Sequence, residues 1–182
     1  MFPLLRTPRA VLKLATEADA PLILDYFRTS GHRYDPPANE SLLNLEHWQQ
    51  HAARLRNEFR AGTSCRFFVF SPDHKQVRGT VDLVRIARGV RHDCTLGYAI
   101  AKEYEGTGLM YECVSEAIYY AFTTLNLHRI EATHALDNPR SRRLLERLGF
   151  VSVGTIPQFH RSGERWLDSH LMTLINDNWR AP

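Results

Sequence analysis

The chain has 182 residues, 43% of them hydrophobic and 24% charged, which suits one folded domain with a sizeable core and argues against disorder. Its net charge of +3 is too small to argue for nucleic acid, yet its sign suits an anionic cofactor or an acidic partner surface. No apolar run approaches the ~20 residues of a membrane span, and the opening MFPLLRTPRAVLKL, broken by Pro3, Arg6, Pro8 and Arg9, makes a poor signal peptide.

Residues 11–14 are a candidate first strand. Thr16 followed by Asp19 resembles an N-cap with an acidic first turn and opens a helix to about Arg28. The polar segment GHRYDPPANES, 31–41, carries two prolines and reads as a loop. A second helix over 45–60 puts Leu45, Trp48, Ala52, Leu55 and Phe59 on one face, and Gly62 is placed to end it. The period then changes. RFFVFS, 66–71, and the alternating VRGTVDLVRIAR, 77–88, make a hairpin around the turn SPDHKQ. Another strand over 94–101 runs into EYEGTGLM. The helix after it aligns Met110, Val114, Ala117, Ile118, Ala121 and Leu125. HRIEATHA, 128–135, is a strand. SRRLLERLGF holds a short helix ended by Gly149, and closing strands near 150–159 and 166–175 flank a turn at 161–164. The order βααβββαβαββ is an α/β sandwich on a mixed sheet, read as one domain over 1–182.

Cys65, Cys94 and Cys113 are scattered, odd in number and without a CxxC pair. A disulfide framework or a zinc site is disfavoured, and a cytoplasmic location fits. His47 and His51 have i,i+4 spacing but no HExxH context, and read as an exposed helix face.

Gly106 and Gly108 start a helix with the residue type that weakens helices by about 1 kcal/mol relative to alanine. A strand, a glycine turn and a helix N-terminus together bind anions. The first helical N–H groups have no internal partner, and glycine lets a phosphate approach them. On these residues alone a plain turn accounts for the glycines at least as well. The dinucleotide fingerprint lacks its third glycine, and the Walker pattern lacks its lysine.

The run LGYAIAKEYEGTGLM, a helix, a strand, DNPRSRRLLERLGF and two final strands resemble the GNAT N-acetyltransferase family. GYAIAKEYEGTGLM, LHRIEATHALDNPRSRRLLERLGF and GERWLDSHLMTL are similar to its RimJ/RimL branch, the ribosomal-protein alanine N-acetyltransferases, as is WQQHAARLRNEFRAGTSCRFFVFSPD. The resemblance covers nearly the whole chain. It implies a mixed, mostly antiparallel sheet flanked by helices, with acetyl-CoA as co-substrate and no metal. It also implies transfer to a protein's N-terminal α-amine, that of a small-subunit ribosomal protein, with no nucleic acid or membrane partner. A homodimer is compatible, the last strand offering an edge. Acetylation of a small amine (a polyamine, an antibiotic or an amino acid) is the alternative, and a non-catalytic acyl-CoA sensor a further one.

The resemblance implies site residues as well. Glu105, Gly106, Thr107, Gly108 and Leu109 would hold the pyrophosphate. The family pattern is Arg/Gln-x-x-Gly-x-Gly/Ala, so Glu105 departs from a basic or amide residue and Met110 from a small one. Tyr98, Ala99 and Ile100 would line pantetheine and acetyl, the N–H of Ala99 or Ile100 serving the oxyanion, a donor typically worth ~3 kcal/mol. Asn138 would bond the cofactor or cap the helix. Leu145 stands where many members carry a tyrosine acid, so Ser141 becomes the candidate that assists the thiolate. At pH 7 a lysine amine costs about 4–5 kcal/mol to neutralise and an α-amine only about 1, which favours α-amines where no strong base is evident. His160 is the first candidate base, with Glu112 and Glu131 behind it.

Arg140, Arg142 and Arg143 read as a solvated helix face ahead of a 3′-phosphate site, and Cys113 as buried. Trp166 reads as packing and Asp168 as a hydrogen-bonding scaffold. Tyr34 and Asp35 are candidates to receive a peptide's amine end.

Overall fold

The computed structural model describes residues 2–31 and 40–181; Tyr34 and Asp35 lie outside the described residues. Its elements are β1 (Leu4–Arg6), β2 (Val11–Lys13), α1 (Ala20–Ser30), α2 (Leu45–Arg60), β3 (Cys65–Phe70), β4 (Val77–Ala87), β5 (Asp93–Ile100), α3 (Leu109–Thr123), β6 (Arg129–Ala135), α4 (Pro139–Arg147), β7 (Val151–Ser162) and β8 (Arg165–Ile175). One eight-stranded sheet has the order β1-β2-β3-β4-β5-β6-β8-β7. Its described pairings are antiparallel except β5 with β6. The helix α3 makes that parallel crossover.

Helices cover both faces of the sheet. One face buries Val81, Leu83, Cys94, Leu96, Ile130 and Met172 against Cys113, Val114 and Ala117 of α3 and Leu145 of α4. The opposite face buries Phe68, Phe70 and Val77 against Ile23 and Phe27 of α1 and Trp48, Ala52 and Leu55 of α2. Because β3 is covered on both sides, it reads as the apolar run CRFFVF, interrupted only by Arg66, rather than an alternation. No helix among the described residues is long and apolar enough to cross a membrane.

The structure corrects several expectations. The sheet gains β1, whose three residues alternate exposed, buried, exposed. So short a run between Pro3 and Pro8 carries too little period to be read. The edge belongs to β7, not to the last strand, because β8 lies between β6 and β7. Trp166 is 58% exposed, so it is not core packing. His51 and His47 are half-buried rather than solvent-facing, their rings stacked 5.0 Å apart. Burial, with Arg54 and His47 nearby, pushes His51 down to about 4.

Candidate active site

The parallel pairing of β5 with β6 runs from Asp93↔Arg129 to Leu96↔Ala132 and stops. Residues 97–100 then pair with β4 alone, Asp82↔Gly97 to Gly79↔Ile100. Beyond Leu96 the two strands part, leaving a gap between 97–100 on one side and 133–135 on the other. The Ala101 N–H donates to the Arg78 carbonyl at 2.8 Å. Alternation along an antiparallel ladder therefore turns the backbone groups of Ala99 toward β4, and those of Tyr98 and Ile100 toward the gap. Of the two expected oxyanion donors, Ile100 faces the gap. Ala99 does not, and Tyr98 joins Ile100. Gly79 presses β4 onto this stretch: a Cβ there would stand 2.4 Å from the Ala99 carbonyl oxygen. No sequence signal marked that glycine.

The glycine turn sits at the end of β5. Gly106 and Gly108 hold φ of 74° and 80°, a left-handed conformation that side chains rarely adopt. Neither glycine's N–H takes an acceptor among the described residues. A Cβ on Gly106 would meet nothing within 4 Å, so the turn faces open space. Thr107 and Leu109 are partly self-occupied. The Thr107 hydroxyl donates to the Tyr104 carbonyl at 2.7 Å, and the Leu109 N–H donates to that hydroxyl at 3.3 Å. Met110, 8% exposed, points into the core rather than at a ligand. Glu105 is turned to α4, where it pairs with Arg140. That pairing takes up the carboxylate, which would oppose a pyrophosphate, and gives Arg140 a local partner.

Sequence reading missed a support behind this turn. Arg9 donates from Nη1 to the Thr107 carbonyl at 3.0 Å and from Nε to Glu112 at 2.7 Å. Burial raises the Glu112 carboxyl, but hydrogen bonds from Thr7 and Arg9 outweigh it and hold the group below its usual range. Glu112 is therefore a poor base. Glu131 is likewise paired, with Arg129 at 2.7 Å.

On the α3/α4 face, Asn138 caps α4, its side chain accepting the Ser141 N–H at 3.1 Å. This places Ser141 against the gap, with its hydroxyl 2.7 Å from the Tyr98 hydroxyl. Burial pushes the Tyr98 phenol up to about 12 despite that bond, so it stays protonated. Leu145 is fully buried in the core. A phenol thus does stand beside Ser141, but it comes from β5 instead of α4.

The opposite face carries Thr95, Gly97, Thr133 and Ala135, since Leu96 and Ala132 are buried against α3. His160 reaches this face. A bulge between Ile156 and His160, with Gln158 at φ 50°, interrupts the pairing of β7 with β8. The Gln158 N–H donates to Asp168 at 2.9 Å, the scaffold role expected of that residue. His160 Nδ1 then lies 2.8 Å from the hydroxyl of Ser169, which pairs with Ala135 at the gap. Asp82 lies across from Gly97 on the same face, its carboxyl pushed up to about 6 by burial and partly offset by Arg66. A cavity of about 300 Å³ continues along this face from Thr133 and Thr95.

Residues 9–151 match the acetyltransferase (GNAT) domain family. The chain is similar to the [ribosomal protein uS5]-alanine N-acetyltransferase of Escherichia coli strain K12, 33% identical over 178 residues that cover 96% of this chain and 92% of that protein. Among solved structures it is similar to the ribosomal-protein-S5-alanine acetyltransferase from Vibrio fischeri. The TM-score is 0.92 at 28% identity, covering 98% of this chain and 100% of that one. Mycobacterium smegmatis RimJ in complex with CoA-disulfide shares the fold at a TM-score of 0.85 and 24% identity, covering 96% and 86% of the two chains.

Proposed function

Because the chain belongs to the GNAT acetyltransferase family, we propose that it transfers acetyl from acetyl-CoA to the N-terminal α-amine of a protein, with a ribosomal protein as acceptor. The observation that carries this reading is the gap between β5 and β6, headed by the glycine turn. Tyr98–Ser141 stands on one face of it and His160–Ser169 on the other.

Each group then has a task. The N–H groups of Gly106 and Gly108 and the N-terminus of α3 hold the diphosphate. The gap-facing backbone of residues 98–100 aligns the pantetheine and aims the thioester. The amine enters from the Thr95/Thr133 face, where His160 takes its proton, directly or through water. The N–H groups of Tyr98 and Ile100 stabilise the developing oxyanion. Ser141, backed by the protonated Tyr98, hydrogen-bonds the leaving thiolate. No covalent enzyme intermediate is needed, and both substrates are bound together, so orientation supplies much of the acceleration.

Charge balance favours a peptide acceptor over a polyamine. A polyamine site needs unpaired carboxylates, whereas Asp93 and Glu131 on the acceptor face are both paired with arginines and Asp82 has Arg66 at 3.8 Å. The three free, buried cysteines suit a reducing cytoplasm. The test is CoASH release with N-terminal peptides, lysine-bearing peptides and spermidine as acceptors. Turnover on α-amines at least tenfold above the others is the expected result; preference for spermidine or lysine overturns the acceptor assignment.

A further inference from the structure

The acceptor face runs from the gap into the cavity bounded by Thr95, Thr133, Ile156, Phe159 and Leu171, with Arg85 at its far end. Its charges are unevenly paired. Arg91 lies 2.6 Å from Asp93, and Arg129 lies 3.2 Å from Asp93 and 2.7 Å from Glu131. Two carboxylates thus hold two guanidinium groups. Arg85 makes no ion pair with any described residue, although it lines the same cavity. Its backbone is unusual too: φ is 53°, within the register shift between Val84 and Ala87 where β4 meets β5. A bulge of this kind re-aims a side chain, and a non-glycine residue held at positive φ beside a site is a mark of function.

Spacing sets what Arg85 would meet. Val84 pairs with Thr95, two residues along β5 from Gly97, where the gap opens. That is ~7 Å of strand at 3.4 Å per residue. An extended peptide with its amine at the gap covers this distance in about two residues, and the reach of the arginine adds roughly one more. The intervening wall of Ile156, Phe159 and Leu171 accepts an apolar side chain. Resting on the acceptor assignment above, we propose that Arg85 selects protein N-termini that carry a carboxylate at their third or fourth residue.

The test uses alanine-initial peptides differing only in Glu, Gln or Lys at each of positions two to five, with CoASH release as readout. The wild-type protein is expected to favour Glu over Gln about fivefold in kcat/KM at position three or four, less so at high salt. Arg85 is exposed, so substitution leaves the fold intact. Arg85→Gln should erase the preference and Arg85→Glu should turn it toward Lys. Equal rates for Glu, Gln and Lys in the wild-type protein, or a Glu preference that survives in Arg85→Glu, would overturn this inference alone. Acetylation of none of the peptides would overturn the acceptor assignment and the inference together.

Discussion

The hydroxyls of Tyr98 and Ser141 lie 2.7 Å apart, one from β5 and the other from the first turn of α4. They form a two-member hydroxyl chain on the α4 side of the gap, where the thiolate is proposed to leave, anchored by the Asn138 cap. Removing Ser141 takes away the hydroxyl proposed to meet the sulfur. Removing the phenol oxygen only leaves Ser141 less well oriented. Ser141→Ala should lower kcat by roughly 10²-fold, and Tyr98→Phe by about tenfold, the value of one hydrogen bond. Because the two act in series, the double variant should be no worse than Ser141→Ala. KM for acetyl-CoA should hardly change. Steady-state kinetics of the three variants decides it: additive losses would mean that the residues act separately.

Glu105 and Arg140 make a second relationship with a measurable sign. An exposed ion pair is worth little to stability, and Arg140 is 72% exposed. Its effect should fall on binding instead, because it masks a carboxylate beside the proposed diphosphate site. Arg140→Ala should weaken acetyl-CoA binding roughly fivefold, with Tm nearly constant. Glu105→Gln should tighten it by a smaller factor, and in that background Arg140→Ala should lose most of its effect. Calorimetric titration of the four proteins with CoA gives the cycle directly.

The glycine turn, its helix and the order of the central elements were legible because each rests on local pattern. Periods of 3.6 and 2 mark the helices and strands, and two glycines one residue apart mark the turn. What was not legible depends on register. Ala99 and Ile100 are neighbours with similar apolar side chains, and only the Ala101–Arg78 bond tells which backbone faces the gap. Tyr98 and Ser141 are 43 residues apart, and Arg9 and Thr107 are 98 apart. No local spacing announces such pairs. Arg9 looked like an interruption of an apolar stretch, and the fold uses it to brace the turn.

Gly79 shows the same dependence on register and gives a sharp prediction. It pairs with Ile100 in a non-hydrogen-bonded position, where strands approach most closely. An added Cβ would stand 2.4 Å from the Ala99 oxygen and 3.2 Å from the Ile100 Cα. Both are backbone atoms that cannot rotate away, so β5 itself must move toward the gap. Gly79→Ala should cost about 1–3 kcal/mol of stability through overpacking. It should also lower kcat at least tenfold by displacing the Ile100 N–H. Thermal unfolding with kinetics on the same sample checks both. Full activity would mean that the gap tolerates a shift of β5, against the role assigned to Ile100.

Asp82 supplies a prediction in pH. Burial pushes its carboxyl up to about 6, Arg66 at 3.8 Å offsetting only part of that cost. In the unfolded chain an aspartate titrates near 3.9. A carboxyl raised on folding binds its proton more tightly in the native state. Its contribution to stability is therefore fully present below about pH 4 and is lost as pH rises through about 6. Two units would amount to about 2.7 kcal/mol, but the side chain is 27% exposed, and screening by solvent trims this to about 1–2 kcal/mol. Asp82→Asn removes the titration while keeping the shape. It should stabilise the protein by that amount at pH 7.5 and leave it unchanged at pH 4. Urea unfolding of both proteins at the two pH values measures the difference, with the pH dependence of His51 and every other group cancelling between them. If Asp82→Asn is less stable at pH 7.5, the attraction to Arg66 outweighs burial and the carboxylate is a structural ion pair.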